Sequence, residues 1–377
     1  MKKILITGCY HSMNSGVMAM AETIVQQFPE SQVYIFSSPV YYKKDKLRYS
    51  IYENVQLVQV PWLNGQLKNK LKLLLAYFGI SLYKSINEIM NNVDVIVDVS
   101  GDSISNDYGT KSIFFSVLPI FLKSRKTKYV FAPQTIGPFN SGFQQRLVEK
   151  AFKKADAVYL REQESVNKLI GVKINITSVL SDLAFLLKPR EIDVCIPNQT
   201  IAIGVSSLIK KFGKENTIGM FKAICDQCLN NNYNVLLVNH VSTIQGNDIL
   251  VAKELKEKFY KEEERVLFFN DNFRASEWKS IISQCKGIIS ARMHPVVHAL
   301  AIGIPALNLS YNHKSIGVVY NRFYPYGNVI DIKNDKLMET VRSFIKSLES
   351  INQTDFDEKV FVNKHMILKF IDDLKKY

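Results

Sequence analysis

The sequence predicts an α/β protein with two Rossmann-like domains that face a cleft. Short apolar runs, typical of buried strands, alternate with amphipathic helical patterns along the chain, and this alternation indicates parallel βαβ units. The length of 377 residues suits two domains rather than one. A composition of 47% hydrophobic and 22% charged residues is ordinary for a globular protein and excludes a largely disordered chain.

The first domain is predicted to contain seven strands. The opening apolar run is too short for the core of a signal peptide, so we interpret it as the first buried strand and expect a cytoplasmic protein. The strands are predicted at 3–8, 32–37, 55–60, 93–100, 128–133, 157–161 and 176–180. The helices between them are predicted at 16–28, 66–91, 111–124, 142–154 and 162–170.

A second series of strands follows a break at residues 187–199, where prolines and charges interrupt the pattern. These strands are predicted at 201–205, 234–239, 266–270, 287–290, 306–310 and 329–332. The predicted domains are therefore 1–187 and 200–350, with a C-terminal helix at 351–377 that crosses back to the first domain. Ligands of such domains bind at the carboxyl ends of the strands, so the loops that leave the strands carry the candidate residues.

The charge and the cysteines narrow the choice of partners. A net charge of +13 predicts anionic partners, but no stretch has the dense basic and aromatic residues of a nucleic-acid module, so we expect no nucleic acid. Five scattered cysteines fit a reducing compartment. Cys225 and Cys228 lack a second pair and lie in an apolar helical pattern, which favours core packing over a metal site.

The strongest cluster of candidate residues follows the strand predicted at 287–290. Arg292 and His294 lie between that strand and an apolar helix. Arginine offers a planar fork for carboxylate or phosphate, and histidine can donate a proton near neutral pH. His298 lies one helical turn after His294, but no glutamate completes a zinc-binding motif, so we interpret His298 as structural and expect no metal. Lys314 adds a cation after the next strand.

Polar side chains also follow the strands of the first domain. Asn14 and Gly16 lie in a small polar turn before the first helix, a place that suits an anion, and the alternative is an ordinary turn in which Asn14 or Ser15 caps that helix. Asp102 is a candidate general base, and Gln134 offers a side chain to the cleft. Arg161 ends a strand, and its alternative role is a salt bridge to a neighbouring glutamate.

In this order and spacing the motifs resemble those of the polysaccharide pyruvyl transferases, from near the start to about residue 320. The matching segments are 8–16, 100–103, 135–138, 160–165, 181–185 and 292–314. The resemblance implies a fold like that of GT-B glycosyltransferases, and transfer of pyruvate from phosphoenolpyruvate to two hydroxyls of a sugar as a cyclic ketal. Members commonly carry an acidic residue where this chain has Val17, so a role for that position is in doubt.

The resemblance also implies roles for individual residues. Arg161, Arg292 and His294 would hold phosphoenolpyruvate, which is the donor substrate, and no cofactor is implied. From the chemistry of the reaction, the predicted catalytic residues are His294, as the acid or the stabiliser of the departing phosphate, Asp102, as the base, and Arg292. Arg292 is predicted to bind one anionic end of the donor, with Arg161 or Lys314 at the other end. The remaining predicted substrate-binding residues are Lys314, Asn14, Gly16 and Gln134.

The predicted acceptor is a glycan or a lipid-linked oligosaccharide. The basic, amphipathic segment 67–78 suits peripheral contact with the inner face of a membrane, and the alternative is an ordinary packing helix with a lysine-rich surface. Two other functions remain open. One is a glycosyltransferase of the same architecture that uses a nucleotide sugar, and the other is a non-catalytic, anion-binding protein of a polysaccharide assembly.

Overall fold

The computed structural model describes residues 1–64, 75–78, 80, 83–212, 216–244, 246–311 and 315–377. The chain forms two compact units. Unit 1 comprises Met1–Ser12, Met20–Leu183 and Met366–Tyr377, and unit 2 comprises Met13–Ala19 and Ala184–His365. The boundaries predicted from the sequence lie at residues 187 and 200, and they assign residues 13–19 to the first domain.

Unit 1 contains a parallel seven-stranded sheet. Its central strands are continuous apolar runs, as a parallel sheet requires: Ile4, Leu5 and Ile6 are fully buried. The strands are β1 (Lys3–Thr7), β2 (Gln32–Ser37), β3 (Val55–Gln59), β4 (Val95–Asp98), β5 (Lys128–Gln134), β6 (Ala157–Leu160) and β7 (Ser178–Val179). Their order across the sheet is β3-β2-β1-β4-β5-β6-β7.

Unit 2 contains a parallel six-stranded sheet and a short antiparallel hairpin. The strands are β8 (Thr200–Gly204), β9 (Asn234–Val238), β10 (Ser242–Thr243), β11 (Gly246–Asn247), β12 (Val266–Phe268), β13 (Gly287–Ser290), β14 (Ala306–Ser310) and β15 (Gly327–Asp331). The order across the large sheet is β12-β9-β8-β13-β14-β15, and β10 pairs with β11.

Helices connect the strands, and several begin at a side-chain cap. The side chain of Ser141 caps one of them, and that of Asn247 caps another. The helices are α1 (Ser15–Gln27), α2 (Tyr42–Tyr49), α3 (Lys84–Asn92), α4 (Gly109–Leu122), α5 (Gly142–Phe152), α6 (Gln163–Lys168), α7 (Thr217–Asn230), α8 (Asp248–Phe259), α9 (Ala275–Ile282), α10 (Met293–Leu300), α11 (Asn321–Phe323), α12 (Leu337–Ser347) and α13 (Gln353–Lys376).

Each sheet has one point at which the strand order reverses. In unit 1 the chain runs outward from β1 to β3 and then resumes on the other side with β4. In unit 2 the same reversal lies between β8 and β13. Loops diverge at such points and leave a crevice at the carboxyl ends of the strands, where ligands of doubly wound sheets bind. The loop after β4 carries Asp102, and the loop after β13 carries Arg292, which directly precedes the helix α10 and its residue His294.

The predicted α/β fold class is confirmed, and all thirteen predicted strands are present, most within two residues of the predicted ends. The edge strand β7 is shorter than predicted, and the hairpin of β10 and β11 is not predicted at all. Of the helix predicted at 66–91, residues 66–74, 79 and 81–82 lie outside the described residues, which include its last part as α3. Among the described residues, no helix has both the length and the apolar character needed to span a bilayer.

Candidate functional site

His294 lies in unit 2 at the start of α10, against the first turn of α1. The α-carbon of Gly16 is so close to the imidazole ring that an added Cβ would overlap Nδ1 of His294. Any larger residue at position 16 therefore displaces the ring or the helix. Asn14 accepts a hydrogen bond from the Gly16 N–H at 3.0 Å through its side-chain oxygen, so Asn14 caps α1 as one of its two predicted roles requires.

The turn before α1 is fixed to the loop that follows β9. The Ser15 N–H donates to the His240 carbonyl at 3.0 Å, and the Ser242 N–H donates to the Met13 carbonyl at 2.9 Å. These backbone bonds join a segment near the start of the chain to a loop more than two hundred positions later. They hold Gly16 in place beneath His294.

Arg292 is anchored by an aspartate that the sequence reasoning did not identify. Its Nε donates to Asp248 Oδ2 at 2.9 Å and its Nη2 donates to Asp248 Oδ1 at 2.7 Å, which is a bidentate pair. The same carboxylate accepts hydrogen bonds from the Ser207 and Val241 N–H groups. The phenol of Tyr311 also hydrogen-bonds to Arg292, and burial raises the pKa of that phenol. The guanidinium plane is thus fixed at the start of α10, two residues before His294.

Three histidines form a cluster in unit 2. The ring of His240 lies 6.4 Å from that of His294, with an angle of 14° between the planes, and 5.6 Å from that of His298. His298 is fully buried, and neither of its ring nitrogens has a hydrogen-bond partner within the described part of the chain. Burial, followed by the positive potential of His240, Lys279 and His294, holds the pKa of His298 well below its usual range. His298 therefore lies in the core, where its charged form is disfavoured, and this burial agrees with the structural role predicted for it.

In unit 1, Arg161 is buried in a network of its own. Its Nη1 donates to Asp182 Oδ2 at 2.8 Å, its Nε donates to Thr135 Oγ1 at 2.9 Å, and Glu162 lies 3.6 Å from Nε. Burial raises the pKa of Glu162, and the neighbouring Arg161 charge opposes that effect. Ser165 donates to Glu162 and accepts from the Ile136 N–H, which fixes the loop after β5. These contacts match the salt-bridge alternative stated for Arg161.

The other predicted residues of unit 1 lie near the switch between β1 and β4. Asp102 is partly exposed and accepts a hydrogen bond from the Tyr108 phenol at 2.8 Å. Gln134 is fully buried at the end of β5, beside Asp98. Burial raises the pKa of Asp98 to about 6, although hydrogen bonds from the Ser100 N–H and the Tyr129 phenol act in the opposite direction.

The structure thus divides the predicted residues between the units. Unit 2 brings Asn14, Gly16, Arg292 and His294 together, and unit 1 holds Asp102, Gln134 and Arg161. Lys314 lies outside the described residues. Sequence reasoning missed Asp248 and His240. Their position in the sequence could have identified them, because both follow the end of β9 within ten residues and therefore lie at the edge of the second sheet where ligands are expected.

The described residues contain no group of three or more His, Cys, Asp or Glu side chains that is arranged to hold a metal ion. Cys225 and Cys228 are buried in α7 as free thiols, and burial raises the pKa of Cys228 to about 12. Because only a thiolate is an effective metal ligand or nucleophile, this geometry agrees with core packing.

Comparisons with known structures agree with the architecture. UDP-GlcNAc 2-epimerase from Neisseria meningitidis, solved with UDP-GlcNAc bound, superposes with a TM-score of 0.59 at 11% identity and covers 100% of both chains. The enzyme of the same name from Methanocaldococcus jannaschii gives 0.60 at 9% identity over 93% of each chain. At these identities the likeness establishes the fold alone, a two-domain α/β fold of GT-B-like type.

Comparisons of sequence are more specific. The chain is 21% identical over 365 residues to the amylovoran biosynthesis protein AmsJ of Erwinia amylovora, covering 88% of this chain and 85% of that protein. The family profile described as polysaccharide pyruvyl transferase matches residues 17–313, which include Arg161, Arg292 and His294. The chain therefore belongs to the polysaccharide pyruvyl transferase family.

Proposed function

We propose that this protein transfers pyruvate from phosphoenolpyruvate to two hydroxyls of a sugar in a surface polysaccharide, or in its lipid-linked precursor, and forms a cyclic ketal. The observation that carries the proposal is the fixed pair of Arg292 and Asp248 at the switch point of the second sheet, where Arg292 precedes His294 by two residues. Family membership supports the reaction class, since the profile covers most of the chain.

Phosphoenolpyruvate carries a carboxylate and a phosphate on a short, rigid frame. A guanidinium whose plane is already fixed can bind such an anion with little further loss of side-chain entropy. Asp248 supplies that fixation through two hydrogen bonds, and backbone N–H groups hold Asp248 itself. In this proposal Arg292 binds one anionic end of the donor, and Lys314 keeps its predicted role at the other.

The reaction requires balanced proton transfers. A proton is added to the methylene carbon of phosphoenolpyruvate, and the oxygen of one sugar hydroxyl bonds to the adjacent carbon and loses its proton. The bond from that carbon to the phosphate oxygen breaks, and the second hydroxyl oxygen takes its place and releases a second proton. One proton therefore ends on the new methyl group and one on phosphate. His294 is the proposed acid, and Asp102 stays the predicted base.

The first experiment is a thermal unfolding series with phosphoenolpyruvate. A ligand at 100 times its dissociation constant adds ~2.7 kcal/mol of stability. We expect a clear increase in Tm for the wild type, and its loss in Gly16→Ala, because the added Cβ displaces His294. A displacement of about 1 Å is enough to lower turnover ~100-fold. His294→Asn should lose the same increase directly.

The matched control is Gly142→Ala, because an added Cβ at that helix terminus meets nothing within 4 Å. It should keep the full response to phosphoenolpyruvate. Arg292→Ala is a poorer first variant, since it leaves the buried Asp248 carboxylate uncompensated and can unfold unit 2 for that reason alone. A response to nucleotide sugars in place of phosphoenolpyruvate would support the glycosyltransferase alternative and contradict the proposal.

A further inference from the structure

The outer face of α2 in unit 1 combines exposed apolar side chains with lysines. Leu47 is 73% exposed, and Val40, just before the helix, is 59% exposed. Lys43 and Lys44 precede Leu47 by four and three positions, so they lie one helical turn from it on the same face. Lys46 is also exposed and flanks them. A large leucine thus stands among three cations on the surface.

The inner face of the same helix is fixed. Asp45 is buried and accepts hydrogen bonds from the Ser12 N–H at 2.8 Å and from the Ser37 hydroxyl at 2.6 Å. Arg48 and Tyr49 are buried on that side as well. The only carboxylate of α2 therefore points inward, and the outer face carries positive charge alone. Within the described residues, none of its three lysines forms an ion pair.

From this face we infer a peripheral membrane contact: α2 docks on a bilayer surface that contains anionic lipid. Lysines near such a surface are attracted to its headgroups, and an apolar side chain among them can enter the boundary of the acyl region. A soluble polyanion would be attracted by the lysines but would gain nothing from Leu47 and Val40. The combination of charge and apolar exposure thus favours a bilayer as the occupant.

The residues of this surface are different from those of the segment 67–78, for which the sequence leaves open a membrane contact or an ordinary packing helix and which lies largely outside the described residues. It also does not depend on the donor chemistry. None of its residues belongs to the candidate site, so substitutions on α2 should leave the stabilisation by phosphoenolpyruvate unchanged. A failure of the membrane inference is therefore distinguishable from a failure of the proposed function.

The test is co-sedimentation of the full-length protein with vesicles of phosphatidylglycerol mixed with phosphatidylcholine, and with vesicles of phosphatidylcholine alone. We expect binding to the anionic vesicles only, weakened by added salt. Each lysine near an anionic surface contributes a factor of ~5 to binding, so Lys43→Gln, Lys44→Gln and Lys46→Gln together should weaken it by about 100-fold. Leu47→Asn should weaken it ~10-fold at unchanged net charge.

The matched control removes three exposed lysines elsewhere in unit 1, by Lys126→Gln, Lys153→Gln and Lys154→Gln. It has the same net charge as the α2 triple variant and should bind within about twofold of the wild type. Equal weakening by both triple variants would mean that net charge alone governs binding, and it would overturn the inference. An unchanged affinity of Leu47→Asn for the vesicles would also overturn the inference, because the apolar side chain would then contribute nothing and the lysines would attract any polyanion equally. Unchanged Tm values verify that the variants fold.

Discussion

Two buried arginines, Arg161 in unit 1 and Arg292 in unit 2, follow strands in the same way but are compensated differently. Arg161 is 1% exposed and lies between the two carboxylates of Asp182 and Glu162. Arg292 is 8% exposed and is paired bidentately with the single carboxylate of Asp248. A cation that already has two carboxylates beside it repels a further anion, whereas the neutral pair in unit 2 does not.

Position after a strand therefore does not by itself make an arginine a ligand for substrate. In unit 1 the arginine ties together the ends of β5 and β6 through Thr135 and the adjacent carboxylates. In unit 2 the arginine precedes by two residues His294, which is partly exposed. We therefore expect unit 1 to respond to substitutions in its stability, and unit 2 to respond in both stability and donor binding.

The largest effect should come from removing the single carboxylate that compensates Arg292. Asp248→Ala removes both hydrogen bonds by which the carboxylate holds Arg292, and loss of one partner of a buried ion pair costs ~3–5 kcal/mol. Asp182→Ala should cost less, because Glu162 still lies 3.6 Å from Arg161. Urea unfolding of the two variants measures the difference.

The control for this comparison is Glu257→Gln, whose partner Lys253 is exposed, since such surface pairs contribute only ~0–1 kcal/mol. Equal losses of unfolding free energy for Asp248→Ala and Asp182→Ala would contradict the idea that Glu162 still compensates Arg161 when Asp182 is removed. A larger loss for Asp182→Ala would reverse the comparison.

The second prediction concerns Asp98, where unit 1 buries a carboxylate that has no cationic partner among its described hydrogen bonds. Its folded pKa of about 6 exceeds the ordinary value of 3.8, so the folded state binds the proton more tightly than the unfolded state. The stabilisation of the folded state by this proton on Asp98 is fully present below pH 3.8 and is lost as the pH rises through about 6. Asp98→Asn abolishes this titration. The free energy of unfolding of the variant, relative to that of the wild type, should therefore rise by ~3 kcal/mol as the pH increases from 3.8 to about 6.

Urea unfolding at a series of pH values measures the Asp98 effect. Asp107→Asn, at an exposed carboxyl group in the loop after β4, serves as the control and should follow the wild-type curve. Parallel curves for wild type and Asp98→Asn would show that Asp98 does not titrate in this window, and would remove this difference between the units.

A third effect has the opposite sign and belongs to unit 2. Burial depresses the pKa of His298 in the folded state, so its contribution to stability is present above pH 6.5 and is lost as the pH falls. Each pH unit below that value costs up to ~1.4 kcal/mol until the folded pKa is reached. His298→Gln should flatten this acid limb. An unchanged acid limb in that variant would mean that His298 gains a proton without cost.

The sequence specifies the strands well, because a strand covered on both faces must be apolar throughout and such runs are visible in β1, β5 and β13. The sequence specifies the hydrogen-bond and ion-pair partners of individual side chains poorly. Asp248 is forty-four positions from Arg292, and only the parallel pairing of β8 with β9 and β13 brings the two loops together. Likewise, no local pattern shows that Gly16 lies against His294. The outer face of α2 has the composition of an ordinary solvated helix, and the exposure of Leu47 is visible only in the fold.

The division of the chain between the units has a consequence for recombination between relatives. Met13–Ala19 lies in unit 2 although it precedes most of unit 1, and Met366–Tyr377 returns to unit 1 after unit 2 is complete. A chimera of two relatives whose junction lies in the sequence between β7 and β8 would therefore take Asn14 and Gly16 from one parent and His294 from the other. The sheets exchange as modules only if these two short segments are exchanged with them.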